Sequence, residues 1–158
     1  MFCQFRPVVF DVNCGFAAAN NRAIVTCDTD FAALLNPDAF PVPDCLEHLM
    51  AAAISNPGVA AFSSLQLFAD ISNKIDGMGD SYRMSGCFGV RNTGFCCCQL
   101  LKRSAPCSAP ERYRLDALLE VGEFDEDFFC FVEDVDLGFR LRLAVIRPCM
   151  LMMPSLGL

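Results

Sequence analysis

FDEDFFCFVEDVDLGFRLRL, residues 124–143, is the stretch on which the fold turns. Between positions 125 and 136 it carries Asp125, Glu126, Asp127, Glu133, Asp134 and Asp136, interleaved with Phe128, Phe129, Phe131, Val132 and Val135. That mixture is odd for a solvated face. From Phe131 onward the apolar residues Phe131, Val132, Val135, Phe139 and Leu143 follow helical spacing, which predicts a helix with these residues on one side. Acids crowd its first turn and Arg140 and Arg142 its last, as the macrodipole favours. Two readings stand side by side. In one, Glu133 and Asp134 sit at the helix mouth, where a cation or a substrate hydroxyl offsets their repulsion. In the other, the acids are ordinary helix-start chemistry and Asp136 pairs with Arg140 across i,i+4.

The chain of 158 residues suffices for one domain with a core and is too short for two. Its composition, 54% hydrophobic with a mean hydropathy of +0.37, excludes disorder along its length. A net charge of -7 opposes electrostatic binding to nucleic acid or to an anionic membrane. An anionic nucleotide would therefore need a local cation to dock. There are 11 cysteines and one histidine, His48. No CxxC occurs, and Cys96, Cys97 and Cys98 are consecutive, which suits neither a zinc knuckle nor simple disulfide pairing. They read as reduced thiols of a cytoplasmic protein. MFCQFRPVVF lacks the sustained apolar region of a signal peptide, and the apolar run 49–54 falls far short of the ~20 residues that span a bilayer. The expectation is a soluble chain able to work at the inner face of a membrane.

Along the chain, Val8, Val9 and Phe10 suggest a short strand, and GFAAANNRAI, 15–24, a helix rich in alanine. Its Asn20 and Asn21 need amide partners, because asparagine is otherwise a poor helix former. FAALL, 31–35, reads as a buried strand that ends in the turn Asn36-Pro37-Asp38. A carboxylate just beyond the carboxyl end of such a strand lies where open α/β sheets bind ligands. A helix follows from Pro43 and Asp44, with Leu46, Leu49, Met50 and Ala53 on one face and His48 solvated off it. Residues 59–67 are the next strand candidate, DGMGD (76–80) a glycine-rich loop, and 92–112 a loop. Asp116 is expected to cap a short helix to Val121, with Leu118 and Leu119 inward.

Three blocks, taken in order, resemble glycosyltransferase family 2, in particular its bacterial rhamnosyltransferase-like members. The first is N-x-G-F-A-A-A-N-N, carried by Asn13, Gly15, Phe16, Ala17, Ala18, Ala19, Asn20 and Asn21. The second is LLNPDA, a variant of the DxD motif in which Asn36 stands where the first Asp often is and Asp38 is the last. The third is the ED segment at Glu133 and Asp134. Together they cover 13–143. The resemblance implies a partial GT-A domain, an α/β fold with a mixed sheet flanked by helices. It implies transfer of a sugar from a nucleotide-sugar donor to a glycan or lipid-linked acceptor hydroxyl, dependent on Mg or Mn and with inversion at the anomeric carbon. Asp134 would take the acceptor proton, with Glu133 beside it. Asn13, Gly15, Asn20, Asn21 and Asn36 would line the donor side, Asp136, Asp125 and Glu126 the acceptor side, and Asp38 would hold the cation. Asp28 and Asp30 match a DxD by letters alone and precede the strand, so they read as surface turn residues.

The chain departs from the family's pattern in five places. A family member begins with a strand and an Asp-containing turn that the residues before Asn13 do not supply, and it has a metal-binding His after the ED helix. Glu123 replaces the second glycine of G-G-F-D-E. If that position needs a positive φ, the side chain costs roughly 1 to 2 kcal/mol. Pro110, Glu111 and Arg112 interrupt a small-residue block matched by Ala105, Pro106, Cys107, Ala109, Tyr113 and Arg114, and are expected to disturb a strand there. The tail 145–158 fits a shifted reading frame, an expectation that an intact gene encoding the same tail would overturn. Two further functions remain in view: a non-catalytic truncated fragment, and an acidic divalent-cation binding module without transferase chemistry.

Overall fold

The computed structural model describes residues 6–64 and 111–144 with their side chains, and elsewhere the backbones of six short strands. It is a mixed α/β structure. Its main sheet places Glu111–Arg114 in the middle, antiparallel to Phe31–Leu34 on one side and to Ala61–Ser63 on the other, and Cys149–Met150 joins parallel to Ala61–Ser63. The register pairs Leu34 and Ser63 with Glu111, and Ala32 and Ala61 with Tyr113. Outside this sheet, Phe40–Pro41, Leu156–Gly157, Gln66–Leu67 and Ile75–Gly77 form a second, and Asp80–Tyr82 pairs with Phe88–Val90.

Alternation along the strands separates two cores. Ala32, Ala61 and Tyr113 pack with Ala17 and Ile24 of α1 (Gly15–Ile24), with Leu118 of α3 (Leu115–Val121), and with Leu137 and Leu141 of α4 (Glu133–Leu143). On the other face Phe31 and Phe62 pack against Leu49, Ala52 and Ala53 of α2 (Cys45–Ser55). Helices therefore cover both faces of the sheet, and arginines on the central strand secure the α2 side. The Arg112 guanidinium lies 3.7 Å from the centre of the Phe31 ring. Arg114 donates from Nε to Val59 O at 2.8 Å and from Nη2 to the carbonyls of Ala53 and Asn56. Both carbonyls lie at the end of α2, where a cation meets the negative end of the helix dipole.

The turns around α3 and α4 are tightly specified. Gly122, at φ 87, ends α3, and Gly122 N and Glu123 N both donate to Leu118 O. Glu123 itself has φ 57, the positive φ that its place in the sequence raised as a condition. Arg140 then ties α4 to this corner. Its guanidinium reaches Asp136 Oδ2 at 2.8 Å, Val121 O at 2.7 Å and Glu123 O at 2.6 Å.

Several expectations are corrected. Residues 8–10 join no strand, and Val8 and Val9 are exposed, since no neighbour offers them a ladder. Phe31–Leu34 is an edge strand with only Ala32 fully buried. On α2 the buried stripe is Cys45, Leu49, Ala52 and Ala53, and Leu46 faces out. On α3 Ala117 rather than Leu119 turns inward, and the N-cap is Arg114, one residue before the helix. Asp116 instead bonds the neighbouring Ala117 N. On α4 the inward face is Glu133, Leu137 and Leu141 with Val135 and Gly138, while Phe139 and Leu143 are exposed and Phe131 precedes the helix. Packing against Tyr113 and α3 selected a face the apolar count did not. Glu111 and Arg112 belong to the central strand, not to a loop, and build the sheet they were expected to disturb. Asp76, Gly77 and Asp80 lie in strands. The cysteines at 96–98, the block at 105–109 and most of the tail lie outside the described residues. Among those described, no helix is long and apolar enough to cross a membrane, and Cys14, Cys27, Cys45 and Cys130 are free thiols.

Candidate functional site

The ED pair is held by a strained entry. Phe131 and Val132 have φ of 72 and 75, a region that bulky and β-branched residues rarely adopt because Cβ meets the following carbonyl. Such strain costs on the order of 1–3 kcal/mol per residue, and it persists only where surrounding contacts over-determine it. Here the chain ahead of the turn is clamped. Phe16 N donates to Phe129 O at 2.8 Å, and Gly15, at φ 85, lets that backbone approach so closely that a Cβ would stand 2.3 Å from Phe129 O. The strained turn delivers Glu133 inward, 7% exposed, and Asp134 to a half-buried position beside it.

Burial pushes the Glu133 carboxyl above its ordinary range and the charge of Asp134 adds to this, while a backbone N–H works the other way. Its Oε2 is buried and has no hydrogen-bond partner. Tyr113 is the neighbour that sequence reasoning missed. Its hydroxyl donates to Glu111 Oε2, and its proton is held well above the phenol's ordinary range, by burial first, then by the charge and hydrogen bond of Glu111, then by Asp134 and Glu133. Glu111 thus bonds this phenol directly, and the charges of Asp134 and Glu133 reach it. The Asn36-Pro37-Asp38 turn leaves the sheet from the same end, because Leu34 pairs with Glu111. Ala39 N donates to Asn36 O at 3.1 Å, closing that turn and leaving Asp38 exposed.

The raised Glu133 carboxyl has a consequence for stability. An acid that holds its proton more tightly when folded makes the native state bind more protons than the unfolded chain, so stability falls as pH rises through that window. Glu133→Gln removes the penalty. Urea unfolding across a pH series is expected to show wild type losing stability relative to the variant from the ordinary carboxylate range upward. A difference that stays level with pH would sink this assignment.

The other sequence candidates serve the scaffold around this group. Asn13 Oδ1 accepts from Gly15 N at 3.0 Å and turns the chain into α1. Asn20 bonds Phe16 O within its own helix. Asn21 is buried and bridges to the segment before α4: its Nδ2 donates to Phe124 O at 2.8 Å and to Glu126 Oε1 at 3.1 Å, and its Oδ1 accepts from Phe124 N at 3.0 Å. Both asparagines have the amide partners their helix position demanded. Asp125 Oδ1 accepts from Asp127 N. Asp136 is committed to Arg140, the ion pair foreseen from spacing. Beside α1 lies a cleft of about 390 Å³ that includes Cys14 and Asn21 in its wall. It is separate in lining from the ED group.

No three His, Cys, Asp or Glu side chains among the described residues group as a metal cage. A divalent cation that keeps its waters and takes phosphate oxygens needs only one or two carboxylates, and the exposed, hard-oxygen Asp38 fits that part. Compared with known protein families and with curated proteins, the chain matches none.

Proposed function

We propose that the chain is a glycosyltransferase domain of the GT-A type, resembling family 2, which moves a sugar from a nucleotide-sugar donor to a hydroxyl of a glycan or lipid-linked acceptor. One observation carries the proposal: a strained turn at Phe131 and Val132 spends stability to hold a buried carboxyl, Glu133, directly beside a half-buried one, Asp134. Adjacent carboxyls in unlike environments divide their protonation, one keeping a proton and the other free to accept one.

Asp134 acts as general base. It takes the hydroxyl proton as the acceptor oxygen bonds to the anomeric carbon, and the bond from that carbon to the diphosphate oxygen breaks with its electron pair leaving on the nucleoside diphosphate. Burial, which pushes the Glu133 carboxyl above its ordinary range, disfavours a second charge next to Asp134. Asp38 would hold Mg or Mn, whose chemistry is to neutralise the diphosphate. Asp136 acts through Arg140 in fixing α4, and Asn36 closes the turn that presents Asp38.

Calorimetric titration of the chain with nucleoside diphosphates, with and without Mn²⁺, tests the reading. Heat that requires Mn²⁺, disappears in Asp38→Ala and persists in Asp134→Asn is expected. With a sugar donor and acceptor, Asp134→Asn should lose on the order of 10²–10⁴ in rate. Metal heat indifferent to nucleotide would instead identify a cation-binding module, and no heat at all a non-catalytic fragment.

A further inference from the structure

The wall of the cleft beside α1 includes Asn21 and Glu126, which the family resemblance placed on the donor and acceptor sides, together with groups that the proposed transfer does not use. Arg22 faces it from α1, Glu123 and Glu126 from the segment after α3, and Phe10, Ala18 and Val25 supply apolar surface. At about 390 Å³ it has room for a small molecule. Among the described residues no ion pair joins Arg22 to Glu123 or Glu126, so the guanidinium does not already neutralise the carboxylates of this lining. Glu126 is fixed from behind by Asn21, itself only 7% exposed.

Glu123 is the second observation. It occupies φ 57, where glycine would be free of strain, next to Gly122, which already takes φ 87. The chain keeps a carboxylate at a backbone position that disfavours one, and that carboxylate lines the cleft. A dianionic nucleoside diphosphate would meet two negative charges here and is a poor fit. A molecule with an ammonium group at one end and a carboxylate at the other complements the whole lining.

We propose that this cleft binds a small zwitterion of the amino-acid type, its ammonium toward Glu123 and Glu126, its carboxylate toward Arg22 and its side chain against Phe10, Ala18 and Val25. The site stands independently of the transferase proposal.

The test uses three probes on the full chain, followed by amide chemical shifts: L-leucine, isopentylamine, which keeps the ammonium alone, and 4-methylpentanoate, which keeps the carboxylate alone. L-leucine is expected to give a saturable shift in α1 at millimolar concentration, and each truncated probe to bind at least roughly tenfold more weakly, the loss of one charge-assisted contact. Arg22→Ala should weaken L-leucine by a similar factor. Glu123→Gly should melt a few degrees higher through relief of strain and yet lose the L-leucine response, a combination that a purely structural Glu123 would not give. The proposal is overturned by the absence of a saturable L-leucine response, by isopentylamine binding as well as L-leucine, by unchanged affinity in Glu123→Gly, or by displacement of L-leucine by a nucleoside diphosphate.

Discussion

Replacing Asn21 by alanine is expected to cost the chain about 3–5 kcal/mol, while the same change at Asn20 stays within about 0.5 kcal/mol. The neighbours differ only in where their amides point. Asn20 bonds the carbonyl of Phe16, four residues back in its own helix, and alanine there would improve helix propensity. Asn21 satisfies both the N–H and the C=O of Phe124, a residue 2% exposed. Removing its side chain leaves two buried backbone groups without partners, each worth on the order of 1–3 kcal/mol. Urea midpoints of the two variants check this. Similar midpoints would mean that Phe124 finds other partners and that the bridge is incidental. Asn20→Ala, being stable, also tests the donor side: if Asn20 touches the nucleotide sugar, its Mn²⁺-dependent heat falls with no change in unfolding.

Gly15→Ala is the second large effect, with an expected cost of about 3–5 kcal/mol. Gly122→Ala supplies its control. Both glycines have positive φ, 85 and 87, so both substitutions carry the left-handed penalty of roughly 1–2 kcal/mol. A Cβ on Gly122 meets nothing within 4 Å, whereas one on Gly15 would stand 2.3 Å from Phe129 O and 2.8 Å from the Phe129 ring. The excess in Gly15→Ala therefore measures the close approach between α1 and the loop before α4. Because Phe16 N holds that same carbonyl, the displacement should reach the Phe131 and Val132 turn and loosen Glu133. Equal costs for the two variants would show that the loop moves aside freely.

Much of this architecture was legible in the residues. The helix at Gly15–Ile24, the strand at Phe31–Leu34, its Asn-Pro-Asp turn and the Asp136 to Arg140 pair follow from propensity, turn chemistry and spacing, which act over a few residues. What could not be read depends on partners distant in sequence. The inward face of α4 is set by Tyr113 and by α3, so Glu133 is buried and Phe139 exposed, against a simple count of apolar residues. Glu111 and Arg112 are charged and follow a proline, which gave no strand signal, yet they form the middle of the sheet. The available hint was one aromatic, Tyr113, set between Arg112 and Arg114. Asn21 and Glu123 were singled out by residue type, and the structure supplies the reason for each.

The order of the strands also governs when the fold can form. Phe31–Leu34 and Ala61–Ser63 are the first two strands of the main sheet in chain order but are separated in space by Glu111–Arg114. During synthesis neither can find its partner Glu111–Arg114 until some fifty residues beyond Ala61–Ser63 have emerged, because the strand between them is encoded after both. Closing such loops loses chain entropy before any ladder bond returns it, which slows folding relative to a fold of local contacts. Until then two strand edges and the apolar sides of α1 and α2 stand open together, and this interval is when the chain is most exposed to self-association. The middle strand ends it on both sides at once: Arg114 closes α2 while Tyr113 seats the opposite core, so its arrival commits both halves in one step.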